Sequence, residues 1–476
     1  MVLLYLLLAL VLAAGITAVL RAQRVKAAPA GYRRTFDNEE TRAEEYAEKL
    51  SEMVRIPTVT GNTEAFENLH VLMQGQFPTL FERVEIHQFG ESLLFHIVSA
   101  HSDKPAILLM GHQDVVPASP GEWKCEPFSG QIAEGRVWGR GAFDCKATVF
   151  CEMQALEELL YSGAELTRDV YLAFSENEET GGEGAPTIVE YLSDRGIRLA
   201  IVLDEGSVIV SEGIPGMDRP YAPIGVTEKG ILNVRFTARS PGGHSSQPPR
   251  NTPIARLAAF VSEMERKRPF RRRMNRTVED SLCQIGRILP FGMRLLFSNI
   301  WLFRPLLNFV LPKLSTMFDA WLGTTFCFTM CSGAEAANII PAEASVLCNL
   351  RLSAEQGMEE TLEILGRYAK KHDLEMEVIS GYDASSPSDT DSEAYRRLCK
   401  ALEKTYPDVA MGPYLLTGGT DCRHFTALTS GAFRLTPLRI DEQQLEAVHG
   451  IDENISCMTL VETVEFYKTL VREYDA

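Results

Sequence analysis

Five short segments of the sequence place residues that commonly bind metals at the ends of hydrophobic runs. They are GHQD at Gly111–Asp114, GRGAFDCK at Gly139–Lys146, SENEETGG at Ser175–Gly182, LDEG at Leu203–Gly206 and HG at His449–Gly450. Imidazole nitrogens and carboxylate oxygens of this kind are typical zinc ligands. The set is large enough for two zinc ions, with one of the adjacent glutamates Glu178 and Glu179 left over as a general base. The segments therefore predict a metal-dependent amide hydrolase.

Each of these residues also has an ordinary structural explanation. His112 alone would more often be a structural histidine, Asp144 a turn residue and His449 an exposed side chain. The pairs Glu178–Glu179 and Asp204–Glu205 could be solvated acids or the cap of a loop. Five such coincidences, all after apolar runs, are much less expected than any one of them. The combination therefore favours a metal site.

The elements that must position these residues alternate between strands and helices. Strands are predicted at Ala106–Met110, Val170–Phe174 and Leu199–Leu203, and helices at Ala147–Leu160 and Ala185–Leu192. Such alternation is typical of an α/β fold, with a mostly parallel sheet and helices on both faces. Sites in these sheets lie beyond the carboxyl ends of the strands. The segments GHQD, NEE and DEG follow the predicted strands and would meet at that edge.

A second unit interrupts this pattern. The predicted strands and helices from Ile231–Ala238 to Glu359–Lys370 follow a β-α-β-β-α-β order, which indicates a separate α+β insert. We predict catalytic segments over 36–225 and 383–476, with an inserted lid or dimerisation domain over 226–382. Within it, Ile288–Leu322 is apolar but too interrupted by Pro, Arg and Lys to span a membrane. These helices are expected either to cover a hydrophobic cleft or to rest on a bilayer surface.

The N-terminus contains a second apolar run. Val2–Leu20 is uncharged and close to the roughly 20 residues that a membrane-spanning helix needs. Arg21, Arg24 and Lys26 follow it, and this placement of basic residues favours a catalytic domain that faces the cytoplasm. We predict a single-pass anchor over 2–20. A cleaved signal peptide is the alternative, although no basic residue precedes the run.

Composition narrows the class of protein further. A chain of 476 residues is long enough for two domains. Its formal net charge of -17 argues against a nucleic-acid partner, because such partners favour basic surfaces. The ten cysteines show no CxxC spacing, so we expect small buried side chains rather than a disulfide framework.

The segments together resemble the M20 family of metallopeptidases, in particular its branch of carboxypeptidase S and N-acyl-amino-acid hydrolases. The resemblance runs from about Arg42 to Tyr474 and rests on the five segments above and on GGHSSQPP, AANIIP, TGGTDCRHF and VHGIDENI. It implies two zinc ions, which cobalt or manganese could replace. His112 and Asp204 would hold one ion, Glu179 and His449 the other, and Asp144 would bridge them. Glu205 is an alternative to Asp204.

The resemblance also implies roles around the metals. Glu178 would be the general base that takes a proton from a zinc-bound water, and Asp114 would orient His112 by accepting from its imidazole N–H. The peptide bond between Asp144 and Cys145 would be cis. In dimeric relatives the histidine that corresponds to His244 reaches across to polarise the substrate carbonyl. Substrate binding would involve Arg351, Asn338 and Gly419, with a further backbone contact from Thr420.

These expectations describe a membrane-anchored two-zinc carboxypeptidase or aminoacylase. Its substrates would be peptides or N-acyl amino acids with a free carboxylate, and the lid could join two chains in a homodimer. A deacylase or desuccinylase of amino-acid metabolism is a second enzyme reading. A non-catalytic, metal-stabilised binding protein on the same fold is the remaining alternative.

Overall fold

The computed structural model describes residues 2–99, 103–119, 121–211 and 214–475. The elements before the insert are α1 (Val2–Arg24), α2 (Glu39–Val54), α3 (Thr63–Gln76), α4 (Pro78–Glu82), β1 (Glu85–Phe89), β2 (Ser92–Ile97), β3 (Ala106–His112), β4 (Gln131–Ala133), β5 (Arg136–Trp138), α5 (Lys146–Tyr161), β6 (Val170–Ser175), α6 (Gly184–Asp194), β7 (Leu199–Asp204), β8 (Ile209–Val210) and β9 (Tyr221–Glu228). A single 3₁₀ turn, Glu178–Thr180, follows β6.

The insert and the return to the first domain complete the chain. The insert contains β10 (Gly230–Arg239), β11 (Gly243–His244), α7 (Pro253–Lys267), α8 (Arg276–Gly286), α9 (Phe291–Phe297), α10 (Ile300–Leu314), α11 (Thr316–Leu322), β12 (Thr325–Ser332), β13 (Ile339–Ile340), β14 (Glu343–Leu352), α12 (Met358–Lys371) and β15 (Glu375–Tyr382). The return contains α13 (Glu393–Thr405), β16 (Ala410–Leu416), α14 (Cys422–Phe425), β17 (Ala432–Arg434), β18 (Arg439–Ile440), α15 (Glu442–Glu446), β19 (Asn454–Ser456) and α16 (Cys457–Asp475).

A large mixed sheet forms the centre of the fold. Its order is β1-β2-β6-β3-β7-β17-β9-β8-β18, and β16 pairs with β9. The central strands β6, β3, β7 and β17 run parallel to one another, as the alternation of strands and helices predicted. Every residue of β3 and β6 is buried, which is typical of strands covered on both faces. Helices α2, α5, α13 and α16 pack on one face, and α6 and α14 pack on the other.

The register of the parallel strands aligns the metal-type residues. His112 lies opposite Ser175, and Leu109 lies opposite Leu203. The carboxyl ends of β3, β6 and β7 therefore meet at one edge of the sheet. That edge is where the sequence predicted the site.

The insert has its own antiparallel sheet, of order β12-β14-β10-β15. Helices α7 and α12 pack on it through Phe260 and Leu365, which meet Phe236 and Leu350 in a separate hydrophobic cluster. This arrangement is the predicted β-α-β-β-α-β unit, which we call the lid. The four helices α8–α11 interrupt it between α7 and β12.

Helices α8–α11 do not cover the lid sheet. Leu282, Ile300 and Trp321 belong to a third cluster that includes Tyr221 of β9 and Leu415 of β16. The helices therefore pack against the edge of the main sheet. The predicted segment Ile288–Leu322 is helical, but its main neighbours lie in the catalytic domain.

The N-terminal run is helical, as α1, and packs against α9. In the part of the chain that the structure describes, no single helix has both the length and the apolar character needed to cross a bilayer. The predicted anchor over 2–20 is therefore not confirmed. Among the described residues, the bent pair of α9 and α10 meets the length and composition requirement, with 101° between the two helices. All ten cysteines are free. Five of them are buried, whereas Cys327 and Cys331 are exposed, so the expectation of buried side chains holds for only half of them.

Candidate active site

Three of the segments that carry candidate ligands lie at the carboxyl ends of strands. His112 closes β3, the turn Glu178–Thr180 follows β6, and Asp204 and Glu205 end β7. Asp144 comes from the loop before α5, and its peptide bond to Cys145 is cis, as the resemblance implied. His449 comes from the loop after α15 and has a left-handed φ of 57°. Residues from distant parts of the chain thus meet at one sheet edge.

Asp144 lies between the two histidines. Its Oδ1 is 3.0 Å from His112 Nε2, and its Oδ2 is 3.2 Å from His449 Nε2. Glu179 Oε2 is 3.1 Å from the same His449 nitrogen. One ligand atom each from His112, Asp144 and Glu179 lie within 4.8 Å of one another. A carboxylate between two imidazoles is the arrangement that a bridging ligand requires.

Asp144 and the two histidines shift one another's pKa. Burial alone would raise the pKa of Asp144, but hydrogen bonds from His112 and His449 hold it below its ordinary value. The hydrogen bonds to Asp144 and Glu179 raise the pKa of His449 to about 10, against the opposing effect of burial. The cluster therefore concentrates negative charge beside the two imidazoles.

The residues present fit a divalent cation. Imidazole nitrogens and carboxylate oxygens are suitable zinc ligands. Glu179 Oε1 is buried without a hydrogen-bond partner among the described residues. An unpaired buried carboxylate oxygen is costly, and a bound cation would satisfy it. Among the described residues, this donor set therefore matches a metal centre in chemistry and in burial.

Asp114 is fully buried beneath the cluster. His112 Nδ1 lies 2.9 Å from the backbone carbonyl of Asp114 and 3.4 Å from its Oδ1. The Asp114 carboxylate accepts hydrogen bonds from the backbone N–H groups of Glu178 and Glu179, at 3.1 and 3.2 Å. The carbonyl is thus the closer partner of the imidazole. The carboxylate, predicted to orient His112, mainly holds the turn that carries both glutamates.

Asp204 and Glu205 face different surroundings. Asp204 Oδ1 accepts from the backbone N–H of Glu205 and Oδ2 from that of Cys422, each at 2.8 Å. Glu205 lines a small cavity together with Asp144, and burial followed by the charge of Asp144 raises its pKa well above the ordinary value. The geometry therefore favours Glu205 over Asp204, the residue chosen from the sequence, as the candidate ligand. The reason is that both Asp204 oxygens are already used by the backbone.

Glu178 lies beside the cluster without contacting His449. Burial raises its pKa well above the ordinary carboxyl value, and the charges of Asp421 and Asp144 add to this effect while His112 opposes it. A raised pKa of this kind brings a carboxyl group closer to the range in which it exchanges protons near neutral pH. Glu178 and Glu179 both line the large cleft between the sheet edge and the lid.

That cleft has a volume of about 880 Å³, and its wall combines polar and apolar surface in similar amounts. Arg351 of β14, Arg423 and Gly419 line it together with the two glutamates. A side chain at Gly419 would collide with Tyr382 Oη, since its Cβ would lie only 2.5 Å from that oxygen. The backbone can therefore approach a ligand closely there. Thr420 instead uses its N–H and hydroxyl on Glu228, at 2.8 and 3.2 Å.

Two predicted site residues lie elsewhere. His244 and Asn338 are exposed at the far end of the lid, where the N–H of Ser245 donates to the Asn338 carbonyl at 3.1 Å. His244 Nδ1 lies 2.8 Å from Ser246 Oγ. Neither residue lines the cleft of its own chain.

The sequence reading missed the pair that fixes the Asp144 loop. Glu453 accepts from the backbone N–H groups of Phe143 and Asp144 at 2.9 and 3.0 Å, and from Arg140 Nη1 at 2.6 Å. Arg140 Nη2 donates to the carbonyl of Gly450, next to His449. Both residues are buried. The sequence feature that could have pointed to Arg140 and Glu453 is their position in the GRG and IDEN motifs, close to the ligands Asp144 and His449.

Comparison with known proteins places the chain in a family. Residues 108–473 match peptidase family M20/M25/M40. The chain belongs to this family. It is 33% identical over 446 residues to N-fatty-acyl-amino acid synthase/hydrolase PM20D1 of Xenopus tropicalis, covering 92% of this chain and 87% of that protein. It is also 31% identical over 443 residues to probable carboxypeptidase S-like 2 of Dictyostelium discoideum, covering 90% and 85%.

Solved structures of the M20 type share the fold. The M20 family metallo-carboxypeptidase Sso-CP2 from Sulfolobus solfataricus aligns with a TM-score of 0.66 at 19% identity, over 90% of this chain and 99% of that chain. Human carnosine dipeptidase 1 aligns with a TM-score of 0.61 at 16% identity, over 91% and 97%. Membership of the M20 family makes the chain a hydrolase of the peptidase and amidohydrolase type, as predicted. It argues against the non-catalytic alternative.

Proposed function

We propose that this M20 hydrolase cleaves the amide bond next to a free carboxylate, in N-acyl amino acids or peptide C-termini, with two zinc ions. The observation that carries the proposal is the position of the ligand cluster. Two of its members, Glu179 and His449, line a cleft that Arg351 and Arg423 also line. Guanidinium groups match carboxylates, so a substrate carboxylate held there would leave its amide bond near the cluster.

The relatives support an acylated amino acid as substrate. The Xenopus tropicalis relative is named for synthesis and hydrolysis of N-fatty-acyl amino acids, and the Dictyostelium discoideum relative is named as a carboxypeptidase. Both names describe cleavage of an amide that joins an acyl group to an amino acid with a free carboxylate. A desuccinylase of amino-acid metabolism shares the cleft chemistry but would require a charged acyl group.

The residues divide into ligands and a proton carrier. His112 and Glu205 would hold one zinc ion, Glu179 and His449 the other, with Asp144 shared between them. Zinc in such a site polarises the amide carbonyl and acidifies water. Glu178, held by Asp114 through its backbone N–H, would accept the proton of the attacking water and pass it to the leaving amine nitrogen.

A glutamine at position 178 tests the proposal. Glu178→Gln keeps the size of the side chain but cannot carry a proton, so kcat should fall by roughly 10²–10⁴-fold. The zinc content, measured by elemental analysis after dialysis, should stay at two ions per chain. Glu190→Gln, an exposed change on α6, is the matched control and should leave both values unchanged. Equal turnover by Glu178→Gln and wild type would remove Glu178 from the mechanism.

A panel of acyl groups distinguishes the proposed aminoacylase or carboxypeptidase from a desuccinylase. Acetyl, dodecanoyl and succinyl derivatives of one amino acid would be compared by kcat/KM, with a dipeptide included. A strong preference for the succinyl compound would favour the desuccinylase. Failure of the zinc-loaded enzyme on every compound would overturn the proposal.

The place of His244 supports a homodimer as part of the proposal. Because His244 is exposed and does not line the cleft of its own chain, it could act only on a neighbouring copy. Mixing inactive Glu178→Gln and His244→Ala chains should then restore up to about a quarter of the activity per site in randomly mixed dimers. No recovery, with His244→Ala active alone, would exclude this role.

A further inference from the structure

A second, apolar cavity adjoins the candidate metal centre. Its volume is about 320 Å³, and it lies between the edge of the main sheet and helices α8 and α11. Its walls are largely hydrophobic and include Val210, Ile214, Tyr221, Ile285, Met317 and Trp321. Tyr221 and Trp321 are themselves buried. This space is separate from the polar cleft below the lid, with which it shares no wall residue.

A smaller cavity of about 160 Å³ lies between the apolar cavity and the candidate ligands. Asp144 and Glu205 line this small cavity, and so does Val448, the neighbour of His449. Gly206, Val208 and Leu445 belong to the walls of both the small and the apolar cavity. The two cavities therefore adjoin at these three residues. A path from the ligand cluster into the apolar space would run past Val208.

The candidate site thus borders two spaces that differ in polarity. On one side Arg351 and Arg423 line the polar cleft together with Glu178 and His449. On the other side, beyond Asp144, the wall is apolar. A substrate that fits both sides carries a carboxylate at one end, an amide in the middle and a hydrocarbon chain at the other. Short polar dipeptides have no hydrocarbon chain that would fill the apolar cavity.

The geometry points to this cavity as the binding site for a straight hydrocarbon chain, the fatty acyl group of an N-acyl amino acid. The inference rests on the proposed function and adds the location of the acyl chain and the residues that limit its length. Val208 controls entry from the ligand cluster. Met317 and Trp321 of α11 form part of the cavity wall, so the helices that interrupt the lid supply the specificity. The flexible side chain of Met317 suits a wall that adapts to different chains.

Chain-length dependence tests the assignment. Each methylene group that enters an apolar cavity should raise kcat/KM by about fourfold until the cavity is full. The ratio of kcat/KM for dodecanoyl- over acetyl-amino acid should therefore be large in the wild type. Val208→Phe should lower this ratio at least tenfold, because the ring blocks the entrance. Val71→Phe makes the same change at an exposed position on α3 and should leave the ratio unchanged.

A variant that enlarges the cavity gives the opposite expectation. Met317→Ala should move the preferred acyl group to longer chains, as judged by kcat/KM for octanoyl, dodecanoyl and hexadecanoyl substrates. The two variants act in opposite directions, so a general loss of folding cannot imitate both results. A wild-type ratio near one, or a ratio that Val208→Phe leaves intact, would overturn the assignment even if acetyl-amino acids are hydrolysed.

Binding can be measured without turnover. Dodecanoic acid brominated at its terminal carbon should quench the fluorescence of Trp321, and Trp321→Phe should remove that part of the quenching. Val208→Phe should weaken the binding, whereas Val71→Phe should not. Quenching without hydrolysis of any substrate would support the cavity and overturn the proposed function. Hydrolysis without quenching or length dependence would overturn the cavity and leave the function standing.

Discussion

Glu205 and Asp204 are neighbours in the chain but have opposite surroundings. Asp204 is tied to two backbone N–H groups, whereas Glu205 faces Asp144. Glu205→Gln should therefore lower the zinc content from two ions towards one with little change in folding. Asp204→Asn places an amide N–H against a backbone N–H and should cost about 1–3 kcal/mol of stability. Elemental analysis and urea unfolding of metal-free protein measure the two effects. The reverse pattern would restore Asp204 as the ligand.

The LDEG motif alone does not show whether Asp204 or Glu205 is the ligand. The identity of a residue predicts which atoms it offers, but successive side chains at a strand end point in different directions. Which one meets the metal depends on where β7 stops and on the N–H groups that the Cys422 loop supplies. For His112 and Asp144, the residue chosen from the sequence does lie in the cluster.

A buried ion pair joins two loops of the candidate active site. Glu453 and Arg140 connect the loop of Asp144 to that of His449, and both side chains are at most 4% exposed. Glu453→Ala leaves Arg140 as a buried unpaired charge and should cost about 3–5 kcal/mol. Glu377→Ala removes one partner of an exposed pair on the lid, with Arg235, and should cost at most about 1 kcal/mol. Chemical unfolding in the presence of a chelator compares them. Equal costs would show that the pair does not fix the loops.

Helices α2, α5 and α16 are joined by a second network around Glu158. Lys468 Nζ donates to Glu158 at 2.7 Å, and Tyr46 donates to its other oxygen. Burial alone would raise the pKa of Glu158, but these hydrogen bonds hold it below its ordinary value of 4.5. A lowered folded-state pKa stabilises the fold above pH 4.5, and this stabilisation is lost as the pH falls through the folded pKa.

Glu158→Gln tests this acid dependence. At pH 7 the variant should be less stable than the wild type by about 1–3 kcal/mol, because it loses charged hydrogen bonds. The difference should shrink when unfolding is measured well below pH 4.5. Glu190→Gln on the exposed face of α6 should show no such dependence. A cost of Glu158→Gln that is constant with pH would mean that the carboxylate charge does not contribute.

The strands and helices with clear periodicity could be predicted, whereas their assembly could not. Helix α12, predicted over Glu359–Lys370, runs over Met358–Lys371, because its apolar residues recur on one face. The segment Ile288–Leu322 also formed helices, but its position depends on contacts with Tyr221 and Leu415, which are distant in sequence. Hydrophobic periodicity shows which face is buried and not which surface covers it. The apolar cavity could not be foreseen for the same reason.

Helices α1 and α10 each expose apolar side chains. Asn299, the residue before α10, donates from Nδ2 to the Ala18 carbonyl at 3.0 Å, which ties the two helices together. Leu10 and Leu12 of α1 are 68% and 66% exposed, and Phe309 of α10 is 66% exposed. Large apolar side chains exposed in a contiguous patch are typical of a membrane or partner contact. The basic residues Arg21 and Arg24 end α1 and would suit anionic lipids.

We therefore propose that the exposed apolar side chains of α1 and α10 hold the protein on a membrane. The full chain should float with vesicles of phosphatidylcholine and phosphatidylserine in a density gradient. Phe309→Glu should reduce flotation, because it places a charge in the apolar surface of α10, whereas Val71→Glu on α3 should not. Alkaline carbonate distinguishes the two modes of attachment, since it releases a surface-bound protein but not a spanning one. A full chain that stays in the dense fraction would contradict the proposal. In that case the apolar surface would need another partner.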